Sequence, residues 1–171
     1  KKKHGEERIA ACSALLIPTP AAPIEHAEEY FGASRPLHVE IGCGKGSFAC
    51  GMAAAHPDVN FIAMERISDV ACLALEKAMA CAAERPDNLR FLIGDARNLA
   101  LYFAPHTVEQ LYLNFSDPWP KSGYHKRRLT WRGFLELYRS LLIPGGTLQF
   151  KTDNEELFTF SLEEFEAAGL T

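Results

Sequence analysis

Apolar and polar positions along the chain form blocks that predict strands and helices in alternation. Five short runs dominated by apolar residues are typical of strands that are buried on both faces. These runs cover residues 37–41, 60–64, 89–93, 108–114 and 147–151. Longer segments with apolar residues at helical spacing cover residues 47–56, 68–84, 129–142 and 154–168, with a short helical turn at 99–103. This order of blocks predicts an α/β protein.

Strands that alternate with helices imply right-handed crossovers and a doubly wound, mostly parallel sheet. In such sheets ligands bind beyond the carboxyl ends of the strands, where the strand order reverses. Pro144, Gly145 and Gly146 are expected to end the helix that precedes the last strand. Residues 1–35 are predicted to be an irregular lead-in with a helix at 25–31, and residues 36–171 to form one domain.

A length of 171 residues suits one domain with its own core. No apolar run reaches the ~18 residues of a membrane-spanning helix, and no signal-peptide cleavage pattern is convincing, so a cytoplasmic protein is predicted. The five cysteines contain no Cys-x-x-Cys pair and the histidines lack metal-ligand spacing, so neither disulfides nor a metal site is expected. The chain does not start with methionine and stops after a helical pattern, so we expect a longer natural product.

Charge is unevenly distributed along a chain whose net charge is −4. Three lysines open the chain, a second basic cluster consists of Lys121 and Lys126-Arg127-Arg128, and residues 155–166 are acidic. An acidic protein can in this way present a basic face to a polyanion such as a nucleic acid. The alternative for Lys126, Arg127 and Arg128 is a solvated start of a helix.

A glycine-rich turn follows the first strand and begins a helix. Gly42, Gly44 and Gly46 permit the positive φ and the close backbone approach that a bound ligand requires. Glu65 ends the second strand, where an acid can accept both hydroxyls of an adenosine ribose. Glu40 precedes the turn. Because a carboxylate there would repel a pyrophosphate, it favours S-adenosylmethionine, which is cationic, over a dinucleotide.

Two further strand ends carry polar residues. Asp95 follows the third strand, where it can accept from an adenine amino group, cap the following turn, or do both. The fourth strand leads into Asn-Phe-Ser-Asp-Pro-Trp-Pro-Lys at residues 114–121. Its two prolines stiffen a loop that presents Asp117 and Lys121 in one geometry, and a proline-rich surface turn is the alternative.

These motifs together resemble the bacterial tRNA (guanine-N7-)-methyltransferase family over roughly residues 36–169. The motif at 114–121 and the Lys-Arg-Arg-Leu at 126–129 are highly specific, whereas the glycine turn is typical of the whole superfamily. The resemblance implies a Rossmann-like class I methyltransferase fold with a sheet of seven strands. The family's last two strands and a substrate-contacting Thr-x-x-Glu segment would follow Thr171, so this chain is expected to lack them.

The resemblance also implies roles for individual residues. S-adenosylmethionine contacts are expected at Glu40, Glu65, Asp95 and Asp117, and the other cofactor-motif positions are Gly42, Gly44, Gly46, Ala96 and Asn114. Asp117 would also be the catalytic residue. Substrate contacts are expected at Lys121 and Asp153, with tRNA phosphate contacts at Lys126, Arg127 and Arg128.

The implied activity is methyl transfer from S-adenosylmethionine to N7 of a guanine in the variable loop of tRNA, by a monomer or homodimer without a metal. Because N7 already carries a lone pair, no base is needed, and Asp117 could offset the charge that develops on the guanine. Trp119 could stack on a base or anchor its loop. The rival functions are methylation of a small molecule or protein, dinucleotide-dependent oxidation, and non-enzymatic RNA binding.

Overall fold

The computed structural model describes residues 2–81 and 86–171. Its strands are β1 (Leu37–Ile41), β2 (Asn60–Glu65), β3 (Leu89–Ile93), β4 (Val108–Asn114) and β5 (Leu142–Lys151). Its α-helices are α1 (Lys2–Ala10), α2 (Glu28–Phe31), α3 (Ser47–Ala55), α4 (Ser68–Ala80), α5 (Leu99–Tyr102), α6 (Arg132–Leu141) and α7 (Glu155–Ala167). Short 3₁₀ turns occupy Ser13–Leu15, Ala96–Asn98 and Ser122–Arg127.

The five strands form one parallel sheet in the order β3-β2-β1-β4-β5, which confirms the predicted doubly wound α/β fold. Val39 of β1 lies opposite Ile62 of β2 on one side and Leu111 of β4 on the other. The chain therefore winds in one direction from β1 to β3 and in the other from β4 to β5. The reversal between β1 and β4 opens a crevice at the carboxyl ends of the strands.

Helices cover both faces of the sheet, which explains why most side chains of β1, β2 and β3 are buried whichever face they point to. Residues of β2 divide between the two layers, with Phe61 and Ala63 in the core under α3 and α4, and Ile62 and Met64 in the core under α5 and α6. Most buried hydrophobic side chains belong to these two clusters. The sheet is thereby held rigid, and the loops at its carboxyl edge are presented from a fixed frame.

The last strand begins earlier than the sequence predicts. Leu142 pairs with Val108 and Thr147 pairs with Gln110, so the intervening Pro-Gly-Gly forms an irregularity within β5 instead of a separate helix stop. Proline offers no N–H to a ladder and Gly145 has a φ of +79°, so the bulge suits a strand at the edge of the described sheet.

The lead-in is more regular than predicted, because residues 2–10 form α1, which packs against α4. The backbone of Ile17 then bonds to Phe91 of β3 and that of Ile24 to Tyr102. The predicted helix at 25–31 is confined to α2. Residues 82–84 of the helix predicted at 68–84, like Lys1, lie outside the described residues. Within 2–81 and 86–171, no helix is long and apolar enough to cross a membrane.

Candidate active site

A cleft of about 600 Å³ opens where the strand order reverses. The loops after β1, β2, β3 and β4 line it, together with the 3₁₀ turn at Ser122–Arg127 and the start of α6. Eight of the residues predicted from the sequence line this cleft: Gly42, Gly44, Glu65, Asp95, Ala96, Asp117, Lys126 and Arg127. The predicted convergence of strand-end residues is therefore present.

The glycine turn after β1 is bonded tightly to β2. The backbone N–H groups of Gly42 and Cys43 both donate to the Met64 carbonyl, at 2.9 and 2.8 Å. Gly46 caps α3 with a φ of +83°, and a Cβ there would stand 3.1 Å from the Cβ of Ala74. Gly46 therefore permits close packing of α3 against α4 and does not line the cleft, unlike Gly42 and Gly44.

Glu65 joins two loops from the end of β2. One carboxylate oxygen accepts from the Gly44 N–H at 3.3 Å, and the other accepts from the Ile67 N–H at 2.9 Å. Because a carboxylate has about four lone-pair sites, both oxygens keep acceptor capacity towards the cleft.

Glu40 and Asn114 lie beneath the cleft, not on its surface. Glu40 is 5% exposed, and its Oε2 accepts a 2.9 Å hydrogen bond from the Asn114 amide. Its Oε1 is buried and has no hydrogen-bond partner among the described residues. Burial raises the pKa of Glu40 to about 7, opposed by the Asn114 bond and assisted by the charge of Glu65. Oε1 therefore keeps its capacity to accept a further hydrogen bond.

Asp95 caps the turn after β3 and forms an ion pair within it. Its Oδ1 accepts from the Arg97 backbone at 2.9 Å, and both oxygens accept from the Arg97 guanidinium, at 3.2 and 3.1 Å. Burial opposes ionisation of Asp95, but these bonds and the charge of Arg97 outweigh it and lower the pKa of the carboxyl. The cap predicted as one alternative is present, and Asp95 also faces the cleft.

The loop after β4 holds a strained backbone. Phe115 and Trp119 have φ values of +54° and +43°, which non-glycine residues rarely adopt. Between them, Asp117 is exposed and its Oδ2 lies 3.8 Å from Nη2 of Arg66. The Trp119 ring contacts Tyr124 edge-on with centroids 6.1 Å apart, which is the geometry of a loop anchor.

The three consecutive basic residues after this loop do not act alike. Lys126 and Arg127 are exposed at the cleft, and the Arg127 guanidinium lies 4.3 Å from the Tyr124 ring centroid. Arg128 is only 1% exposed, so the prediction that it contacts a phosphate is wrong. Its Nε donates to the Pro118 carbonyl at 2.7 Å and its Nη2 to Glu156 at 2.9 Å. It is a buried tie.

Two predicted substrate residues stand apart from the cleft lining. Lys121 and Asp153 are exposed, at the start of the 3₁₀ turn and before α7 respectively. Asn154 caps α7, since its side chain accepts from the Leu157 N–H at 2.8 Å. Asp153 therefore does not cap α7.

The cleft residues that were not predicted from the sequence include Arg66, Arg97 and Phe115. Each is adjacent or nearly adjacent in sequence to a predicted site residue, so the neighbours of strand-end acids were the available indication. The positive charge of Arg66 and Arg97 does not by itself indicate a functional site, because exposed arginines are common at loop positions.

Solved structures with this fold include methyltransferases. The aminoglycoside resistance methyltransferase NpmB1 superposes with a TM-score of 0.61 at 20% identity, covering 85% of this chain and 68% of that one. An antibiotic-related methyltransferase gives a TM-score of 0.62 at 13% identity, covering 86% and 78%. The strand order and these likenesses show the fold of class I methyltransferases.

Sequence comparison narrows the class. The family model described as "Putative methyltransferase" matches residues 34–170. The tRNA (guanine-N(7)-)-methyltransferase of Geobacillus sp. (strain WCH70) is 45% identical over 169 residues, covering 99% of this chain and 76% of that protein. The enzyme of the same name from Brevibacillus brevis is 49% identical, covering 82% and 64%. The chain belongs to the tRNA (guanine-N(7)-)-methyltransferase family.

Proposed function

We propose that this protein transfers a methyl group from S-adenosylmethionine to N7 of a guanine in the variable loop of tRNA. The observation that carries the proposal is that Asp117, from the family's most specific motif, lines the same cleft as Glu65 and Asp95. Residues 36–171 would be the catalytic domain and residues 1–35 its lead-in. A cytoplasmic location and a monomeric or homodimeric state stay predictions.

The unpartnered oxygen of Glu40 supports the cofactor assignment. A buried carboxylate oxygen without a donor is costly, and a positively charged methionine end would satisfy it. Nothing lies within 4 Å of where a Cβ would stand at Gly42 or Gly44, so the turn leaves room for a ligand. When bound, S-adenosylmethionine supplies a methyl group activated by its sulfonium charge.

Acids at the ends of β2 and β3 suit the adenosine end of the cofactor. Glu65 keeps lone pairs for two ribose hydroxyls after accepting its two backbone N–H bonds. Asp95 would accept from the adenine amino group while still capping its turn, so its two predicted roles are compatible.

Catalysis would rest on positioning and electrostatics, because guanine N7 needs no deprotonation before it attacks. Asp117, fixed by the stiff loop after β4, would hold a reactant and offset the positive charge that forms on the base. Lys121 would donate to guanine O6 or to a phosphate, and Asp153 would accept from the guanine N1–H and amino group. Lys126 and Arg127 would bind RNA phosphates beside the cleft.

The activity test is methyl transfer from labelled S-adenosylmethionine to an unmodified tRNA transcript, followed by nucleoside analysis. We expect 7-methylguanosine, and its loss when the variable-loop guanine is replaced by adenine. Bound cofactor without tRNA methylation, combined with methylation of a small molecule or protein, would replace the proposed acceptor.

Cofactor affinity should depend on pH through Glu40. With a pKa of about 7, this carboxyl is mostly protonated at pH 6 and mostly ionised at pH 8. Only the ionised form attracts a cation, so affinity for S-adenosylmethionine should rise about tenfold between these pH values, measured by calorimetry.

Adenosine, which lacks the methionine cation, supplies the control and should bind with little change over the same range. The Glu40→Gln variant should bind S-adenosylmethionine weakly and without the pH step. A flat profile for the unaltered protein would remove Glu40 from the cofactor's cationic end.

A further inference from the structure

The cleft is more basic than the molecule that contains it. Three acidic side chains line it (Glu65, Asp95 and Asp117), and four basic ones accompany them (Arg66, Arg97, Lys126 and Arg127). The chain as a whole carries a net charge of −4. The lining therefore carries one more positive than negative charge, and its exposed basic side chains can attract a polyanion.

The basic side chains come from elements on opposite sides of β1. Lys126 and Arg127 belong to the 3₁₀ turn that follows the β4 loop, whereas Arg66 follows β2 and Arg97 follows β3. Because the strand order is β3-β2-β1-β4-β5, β2 and β3 lie on the far side of β1 from β4. Arg97 is paired with Asp95 at its own strand end, and Arg66 reaches towards Asp117 of the β4 loop.

Arg66 and Arg97 are solvent-exposed although each lies beside an acid. Arg97 is 76% exposed although its partner Asp95 is 25% exposed, so the guanidinium lies on the rim while the carboxylate lies deeper. Arg66 is 51% exposed and approaches Asp117 at 3.8 Å, too far for a short hydrogen bond. A guanidinium has five N–H donors, so each arginine keeps donors for another anion.

We propose that Arg66 and Arg97 form a second phosphate-binding rim, opposite Lys126 and Arg127, so that the RNA backbone crosses the cleft. This inference rests on the proposed function. An enzyme that modifies a base acts on a single-stranded nucleotide or draws the base out of its stack, and the phosphates on the two sides of that nucleotide then flank the mouth of the pocket. One basic group would hold each flank, leaving the acids for the cofactor and the guanine.

The test is tRNA binding by the Arg66→Gln/Arg97→Gln variant over a series of salt concentrations, with S-adenosylhomocysteine present. Two lost phosphate contacts should weaken binding roughly tenfold and reduce the slope of log K against log salt by about 1.5. Binding of S-adenosylhomocysteine to the same variant, measured by calorimetry, confirms that the cleft is intact and should change far less.

Arg139→Gln is the matched control. Arg139 is also 51% exposed and lies 3.9 Å from its acidic partner Glu136, but it is on α6 and lines no part of the cleft. It should leave both affinity and slope unchanged.

An unchanged slope in the Arg66/Arg97 variant, with a reduced slope in Lys126→Gln/Arg127→Gln, would overturn the second rim and leave the proposed function standing. If the unaltered protein binds S-adenosylhomocysteine but no tRNA at any salt concentration, the proposed function fails, and the rim fails with it.

Discussion

Asp117→Ala should lower the rate of methyl transfer by about 10²–10³-fold while reducing cofactor affinity far less, if its charge acts on the guanine. The Asp117 side chain is 72% exposed, and the charged group paired with it, the Arg66 guanidinium, is 3.8 Å away. Few folding contacts therefore depend on this side chain. Stability should therefore change by less than ~0.5 kcal/mol. Single-turnover kinetics with saturating cofactor and tRNA, together with calorimetric cofactor binding, separate the two effects.

Asp87→Asn offers a matched control for this variant. Asp87 is equally exposed at 72% and also pairs with an arginine, Arg35 at 3.3 Å, but it lies outside the cleft. It should retain full activity. If the lost turnover of Asp117→Ala were fully explained by weaker cofactor binding, Asp117 would be a cofactor ligand without a catalytic role.

Arg128→Ala should destabilise the protein by about 3 kcal/mol, because it removes a fully buried side chain and deprives the Pro118 carbonyl of its donor. The Arg128 guanidinium bonds to the Pro118 carbonyl and packs 4.6 Å from the centroid of the Phe160 ring, so it ties the β4 loop to α7. Its partner Glu156 is 62% exposed and can return to water, which keeps the loss below that of a fully buried ion pair.

Urea unfolding of Arg128→Ala and Arg127→Ala measures this difference between two adjacent arginines. Arg127 is exposed and contacts Trp119 and Tyr124 through its guanidinium, so its loss should cost under ~1 kcal/mol of stability while weakening tRNA binding. Similar free energies of unfolding for the two variants would contradict the stabilising role of Arg128. Turnover of Arg128→Ala should also fall, since the loop that carries Asp117 loses its anchor.

The strained backbone of the loop after β4 explains why the loop needs the anchoring contact of Arg128. Left-handed backbone at Phe115 and Trp119 costs about 1–3 kcal/mol at each position and persists only when surrounding contacts impose it. The Phe115 N–H is bonded to the Lys151 carbonyl of β5 at 2.8 Å, and Arg128 holds Pro118 from the other side. Asp117 is therefore presented from a loop fixed at both ends.

Strand and helix positions were determined by the sequence itself. β1, β3 and β4 have the predicted bounds because each is a short run dominated by apolar residues. The convergence of Glu65, Asp95 and Asp117 also followed from sequence, since parallel strands bring their carboxyl ends to one edge. The start of β5 did not, because pairing with β4 extended the strand through a Pro-Gly-Gly that locally predicts a break.

The burial of each charged side chain, and the residue with which it pairs, were decided only by the tertiary structure. Lys126, Arg127 and Arg128 are alike in sequence, but a 3₁₀ turn and the packing of α7 turn Arg128 into the core and leave its neighbours in solvent. Glu40 precedes a turn that lines the cleft, yet it points beneath the surface to Asn114. A sequence specifies which residues are charged and where elements begin, whereas burial and partners depend on elements distant in the chain.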